Sequence, residues 1–346
     1  YPRNTMAEDG SLWKQFEWGI GIDLDRDIIT SEMEEEVGEI ILTTEDSLKS
    51  IEDLFEEASL WEVGSNRKKV ARAKKAFLAR GMEAVTYICE NKLATTSSLQ
   101  LRLIEKLAET YPDSLAPLVL QKIFDENNIV QKNSIRMLGV TKYKKAVKPL
   151  LQMLKKKKCH DLRRNIISAL GKIGDKTAAK SISQFIDDED ELCRLSVVGA
   201  LKKLHNPKFL PVLIIALDDE MFTVRSATMT ALQDSVNETS LELLMEYIQD
   251  GSSKYKELGI TTLSNMLFSI PDSVKIEYAT FNNDAMKLFE EEVSNTSVHI
   301  RSAAVEAVYR NGTGQNRAWL DIKMKFESDS LVLAVYKKIK KEILDK

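Results

Sequence analysis

The chain has 346 residues, of which 43% are hydrophobic and 29% charged, a mixture that folds and excludes wholesale disorder. Only 14 glycines and 7 prolines interrupt it, which favours helix over sheet. The formal net charge of −4 makes no global demand for nucleic acid, and no apolar run is long enough to span a membrane. The charge is unevenly placed: residues 1–63 hold 18 acidic and 4 basic side chains, residues 132–180 hold 15 basic and 2 acidic.

Residues 1–63 form an acidic segment outside any repeat, read as an arm, a cap or the remnant of an upstream domain. It carries Trp13 and Trp18, and Ile20 to Asp25 alternate as in a short strand or extended arm. Asp23, Asp25, Asp27 and Glu34 are spaced like calcium-loop ligands, but Ile28 stands where that loop needs glycine, so no metal is expected. Asp46 to Leu60 predict a helix with Leu48, Ile51, Leu54 and Phe55 on one side and Thr44 or Ser47 as its cap. The first residue is Tyr1, which suggests a processed or truncated N-terminus; the cytoplasm is favoured as the compartment.

From about residue 64 a repeat takes over. Ile186-Asp-Asp-Glu189, Leu217-Asp-Asp-Glu220 and Ile248-Gln-Asp-Gly251 follow one another at 31 residues. Six positions after Asp188, Asp219 and Asp250 come Arg194, Arg225 and Lys256. Asn295 and Arg301 take the same two slots later, and Asp125 and Gln131 earlier. Pro117, Pro149 and Pro211 each precede an apolar run at helical spacing, as proline does in a first helical turn. Each unit therefore reads as helix, short turn, helix, short acidic turn. Arg163 to Lys172 give a first helix, Gly174 a left-handed stop, and Thr177 to Ile186 a second helix.

These slots, clearest in Ala169-Leu-Gly-Lys-Ile-Gly-Asp175 and Phe185 to Arg194, resemble HEAT-like repeats of the short type also found in phycobilin lyases. The resemblance covers about residues 95–346. It implies an all-α, right-handed α-solenoid of stacked antiparallel helix pairs, about eight of them over 64–346. It also implies an inter-repeat ladder through Asp188, Arg194, Asp219, Arg225, Asp250, Lys256 and Arg301. One helix pair cannot bury its own apolar face, so stacking on neighbours supplies the core.

Two departures mark candidate surfaces. In one unit the acidic turn is replaced by Lys155, Lys156, Lys157 and Lys158, and the next helix starts with Arg163 and Arg164. The turn before it carries Lys142, Lys144, Lys145 and Lys148. Two basic inter-helix turns predict either a solvated face or an electropositive patch for an acidic partner or for the chain's own acidic N-terminus. The second departure is an insertion near 268–297 with Pro271 and Asn282-Asn283-Asp284, read as a surface loop. Residues 331–346 predict a terminal cap helix with Val332, Val335, Ile339 and Ile343 inward and Lys337, Lys338, Lys340 and Lys341 in solvent.

Nothing points to chemistry. His160, His205 and His299 share no ligand spacing, Cys89, Cys159 and Cys193 form no C-x-x-C pair, and no phosphate loop or nucleophile motif occurs. No cofactor is implied. Some HEAT-like proteins are DNA glycosylases that stack bases on tryptophan, but Trp13, Trp18, Trp61 and Trp319 all lie outside the basic repeats. Asn237, Asn295 and Asn311 head glycosylation-type sequons, which recur by chance. The expectation is a protein-binding scaffold rather than an enzyme, with an acidic protein segment as partner. The alternatives are phosphate-backbone binding by the same patch, or an accessory region of a lyase-type enzyme.

Overall fold

A computed structural model describes residues 42–344 as helices joined by short turns, with no strand among them. The Trp13–Trp18 stretch, the alternating residues after it and the calcium-like spacing lie outside the described residues. Two compact units are separable, one reaching Arg80 and one running from Gly81 to Lys346.

The first unit includes α1 (Thr44–Leu48), α2 (Ile51–Ala58) and α3 (Arg67–Ala79). The helix expected over Asp46 to Leu60 is broken in two. Thr43 caps α1 in a reciprocal box with Asp46, and Ser50 caps α2. Each oxygen satisfies an otherwise orphaned N–H, which makes two short helices cheaper than one long one. The break leaves Leu48 82% exposed, while Leu54, Phe55, Val70 and Phe77 close the α2–α3 core. Because α3 packs on α2, this unit extends past the 63/64 boundary expected from the repeat.

The second unit is an α-solenoid of stacked helix pairs. It opens with α4 (Met82–Tyr87), continued by one wide turn over Ile88–Lys92. The first helices of successive pairs are α5 (Ser98–Thr110), α7 (Asn128–Val140), α9 (Arg163–Ile173), α11 (Glu191–Leu204), α13 (Phe222–Gln233), α15 (Lys256–Ser269), α17 (Val298–Asn311) and α19 (Ser330–Leu344). Between them run α6 (Pro112–Lys122), α8 (Val147–Leu154), α10 (Ala179–Ser183), α12 (Leu210–Ile215), α14 (Glu238–Gln249), α16 (Ala279–Glu292) and α18 (Gly314–Lys323). Each first helix packs on the first helix of the next pair, so Leu138, Ile166, Leu170, Val197, Leu201 and Leu232 form one continuous core.

Several local expectations are corrected. Pro112, not Pro117, sits at the start of α6, and Pro117 falls inside that helix. The helix expected over Thr177 to Ile186 shrinks to α10, preceded by a tight turn over Lys176–Ala178 that Asp175 caps. Asn282-Asn283-Asp284 is not a loop: it lies in the first turns of α16, and the non-helical parts of the insertion are residues 270–278 before that helix and 293–297 after it. On α19, Val332 and Ile339 are buried as expected. Lys340, however, is half-buried and donates to Asp321 at 2.7 Å and to Tyr336 at 2.9 Å. The Asp321 carboxylate, then the Tyr336 hydroxyl, raise its pKa.

Helix ends repeat as faithfully as helix faces. Lys142 (φ +51°), Gly174 (φ +77°) and His205 (φ +42°) all adopt the left-handed conformation just after α7, α9 and α11. At Lys142 the chain makes a full double closure: its N–H reaches Gly139 O at 3.1 Å, and the Tyr143 N–H reaches Leu138 O at 3.2 Å. A side chain is disfavoured there. Lys142→Gly is therefore expected to raise stability by about 0.5 kcal/mol, the relief of strain outweighing the extra freedom of the unfolded chain. A urea midpoint that falls would contradict it.

Candidate protein-docking surface

The surface is built around α8. Val147, Leu150, Met153 and Leu154 are buried on its inner face, which turns Lys148, Gln152, Lys155 and Lys156 to solvent. The tight turn over Lys144–Ala146 holds Lys144 and Lys145 exposed by burying Ala146 completely. Lys142 is exposed at the left-handed stop. None of Lys142, Lys144, Lys145, Lys148, Lys155 and Lys156 is tied into an ion pair among the described residues. The two basic turns lie at opposite ends of α8, about 12 Å apart at a rise of 1.5 Å per residue. They form a stripe joined by the outer face of the helix rather than one knot of charge.

Arg163 does not belong to that stripe. It is ion-paired with the buried Asp188, and its guanidinium lies 4.9 Å from the centre of the Phe185 ring. Arg164 stays exposed. Lys157 and Lys158 lie in the turn Lys157–Leu162, which kinks at Cys159. Cys159 itself is buried, away from any role as an exposed thiolate. Burial pushes the Cys89 thiol up to about 11 and the Cys193 thiol, which also faces Asp188, to about 12.

Sequence reasoning missed three lysines. Lys176 and Lys208 recur 32 and 64 positions after Lys144, at the starts of the next two second helices, and Lys180 follows Lys148 by 32. All three are exposed. The period that located the acidic turns would have found them. The caps also differ along this edge. Asp175 and Asn206 cap their turns, whereas Tyr143 at the equivalent position offers no side-chain acceptor. Asp175 is held below the usual carboxylate range by Thr177, with Lys144 adding its field.

The residues assigned to the ladder occupy one geometry with several chemistries. Arg194 donates to Asp219 at 2.7 and 3.0 Å and to the Asp188 carbonyl at 2.8 Å. Arg301 repeats this, reaching Glu327 at 2.9 Å and the Asn295 and Thr296 carbonyls at 3.0 Å. Arg225 holds the Asp219 and Glu220 carbonyls, but its guanidinium lies 3.8 Å from the centre of the Tyr255 ring instead of meeting a carboxylate. Asp250 turns into its own loop to accept from Ser252, and Lys256 pairs instead with Glu292 at 3.3 Å. Burial works to raise the Asp188 carboxyl, but the Asp190 N–H and Arg163 hold it below the ordinary range.

The three histidines are exposed and apart, and no cluster of three metal-ligating side chains occurs among the described residues. No helix of the described residues is long and apolar enough to cross a membrane. Each sequon asparagine is engaged within the fold: Asn237 caps α14, Asn295 donates to Glu292 at 2.6 Å, and Asn311 donates to Ser264 at 2.8 Å.

A family model for HEAT repeats matches residues 115–202 and 147–233. No curated protein matches the sequence. Among solved structures, the chain is similar to an engineered protein at 15% identity, covering 85% of this chain and 94% of that one, with a TM-score of 0.42. It is also similar to the complex of CpcE and CpcF of phycocyanin lyase from a Nostoc species, at 17% identity, 64% and 91% coverage and a TM-score of 0.37. Human deoxyhypusine hydroxylase in complex with glycerol follows at 16% identity, 78% and 98% coverage and 0.31.

Proposed function

From the premise that residues 115–233 of this chain are HEAT repeats, we propose that it is a protein-binding scaffold, not a catalyst, and that its basic edge docks an acidic segment of a protein partner. The observation that carries this reading is the row of exposed, unpaired lysines at Lys144, Lys145, Lys148 and Lys155, continued by Lys176 and Lys208 at the repeat spacing. Charge left unpaired at the same slot of successive repeats costs no buried ion pair. It offers an extended chain a regular series of cationic contacts, one repeat apart. A duplex would meet the same lysines through phosphates. The scaffold reading is preferred because the chain is acidic overall and aromatic side chains along the stripe are few, Tyr143 and Phe209 among them.

The test is a binding titration of the full chain with a fluorescein-labelled peptide of alternating glutamate and serine. Lys144→Glu/Lys148→Glu/Lys176→Glu is expected to weaken binding about tenfold or more, each reversed contact contributing on the order of 0.5–1 kcal/mol. Lys337→Glu/Lys338→Glu, on the exposed side of α19, should leave it unchanged. Equal losses in the two variants would sink the docking edge. Tighter binding to random duplex DNA, falling steeply with salt, would replace the protein partner with nucleic acid.

A further inference from the structure

The insertion creates a concave surface, well removed in sequence from the lysine edge. The end of α15, the turns of 271–278, the start of α16 and the α17–α18 corner enclose an open cavity of about 460 Å³. That is within the size range of small-ligand and side-chain pockets. Its wall is chemically one-sided. Lys275, Arg310 and Arg317 line it, with the amides of Asn282, Asn283 and Asn311, and no acidic side chain does. Phe268 and Ile270 provide an apolar flank, and Phe268 remains 52% exposed although it sits in a wall.

The three cations are not equivalent. Lys275 reaches Asp272 at 2.6 Å on the surface. Arg310 is engaged by Glu306 and, at 3.0 Å, by Asn265, with its guanidinium 5.6 Å from the centre of the Phe268 ring. Arg317 is half-buried and uses only its Nε, which donates to Tyr309 O at 2.9 Å. Its other two nitrogens meet no carboxylate or carbonyl among the described residues. The same Nε bond, with the guanidinium 5.6 Å from the centre of the Tyr309 ring, fixes the orientation of the fork. A fixed guanidinium presenting two parallel N–H groups matches a carboxylate in both geometry and charge. The side-chain amides of Asn282 and Asn283 are likewise without a partner in the fold and present both donors and acceptors beside it.

We infer that this cleft binds a carboxylate carried on an apolar group, with Arg317 forking the carboxylate, Asn282 and Asn283 bonding an adjoining amide, and Phe268 and Ile270 covering the apolar part. Two sources share that chemistry: the C-terminal residue of a peptide chain, and a free N-acylated or aliphatic acid. The site is separate from the lysine edge, so an uncharged-side-chain ligand reads it without touching that edge.

The experiment is a titration of the full chain, followed by amide and guanidinium nitrogen NMR, with three probes. They are a peptide of glycine and serine ending in phenylalanine-leucine with a free carboxylate, the same peptide amidated, and N-acetyl-leucine. The free-acid peptide is expected to shift the side-chain signals of Asn282, Asn283 and Arg317 and to bind about tenfold more tightly than the amidated one. N-acetyl-leucine binding as tightly as the peptide identifies the small acid as the source, and clearly weaker binding identifies the peptide end. Arg317→Gln should abolish the preference for the free carboxylate. Because that change also removes the Tyr309 contact, Asn283→Asp is the second variant: the side chain is exposed, and a new anion there should weaken binding about fivefold without unfolding the chain. Indifference to amidation, or no shift at these three residues, overturns the inference, while the lysine-edge variants should leave every one of these signals unchanged.

Discussion

Arg194→Met is expected to destabilise the solenoid by about 3 kcal/mol, more than any other single charge substitution along the repeat slots. Arg194 is 7% exposed and joins two repeats at once. It closes the preceding turn through the Asp188 carbonyl and meets both oxygens of Asp219 in the following turn. Removing it leaves a buried carboxylate and a buried carbonyl without their donors, which costs far more than the pair contributes relative to apolar side chains. The estimate stays at the low end because Asp219 keeps the Met221 N–H at 2.8 Å. Arg225→Met should cost only about 1 kcal/mol, since that side chain loses two carbonyls and a ring face but strands no carboxylate. A repeat array can unfold in sections, so hydrogen exchange within α11 and α13 should accompany denaturant titration. Equal costs for the two variants would mean that Asp219 is already solvated and that the contact does not hold the repeats together.

The contrast between Arg194 and Arg225 also shows where sequence reading stops. Spacing and the acidic turns were enough to place helix pairs, and the shared position six residues after the acidic slot located both arginines. The partner of each could not be read there, because it is set by what the next turn offers: a carboxylate at 219, a tyrosine ring at 255. Lys340 escaped for a related reason. Periodicity put it on the wet face of α19, but Asp321, on the neighbouring helix, draws it inward, and a single-helix pattern carries no information about its neighbour. The broken N-terminal helix turned on caps, where Thr43 and Ser50 each outbid continuity of the apolar face. Arg163 was read as part of a basic run, and the buried Asp188 beside it takes it out of that run into an ion pair. The cleft at the insertion was hidden because reading Asn282 and Asn283 as loop residues concealed that a helix start brings them to face Arg317.

Gly171→Ala should cost about 3 kcal/mol, although alanine in an isolated helix is favoured over glycine by about 1 kcal/mol. The sign is decided by α11. A Cβ on Gly171 would stand 2.7 Å from the Ala200 Cα and 2.8 Å from its Cβ, and the nearer atom is backbone, which cannot rotate away. The two helices must separate, and close-packed neighbours lose contact along their whole length. Gly139 faces Ala169 one repeat earlier at 3.0 Å, so Gly139→Ala should be milder, about 1 kcal/mol, as a shift of a few tenths of an ångström relieves it. Ala200→Gly combined with Gly171→Ala should recover only a small part of the loss, because the Ala200 Cα at 2.7 Å stays in place when its Cβ is removed. A neutral or stabilising Gly171→Ala would show that α9 and α11 are not held at this distance. The same contact bears on function, because the separation of α9 and α11 sets the offset between the turns that carry Lys176 and Lys208. A chain that remains folded with Gly171→Ala should therefore also hold an acidic peptide less tightly across those repeats, while a peptide short enough to stay on α8 should not distinguish it from the parent.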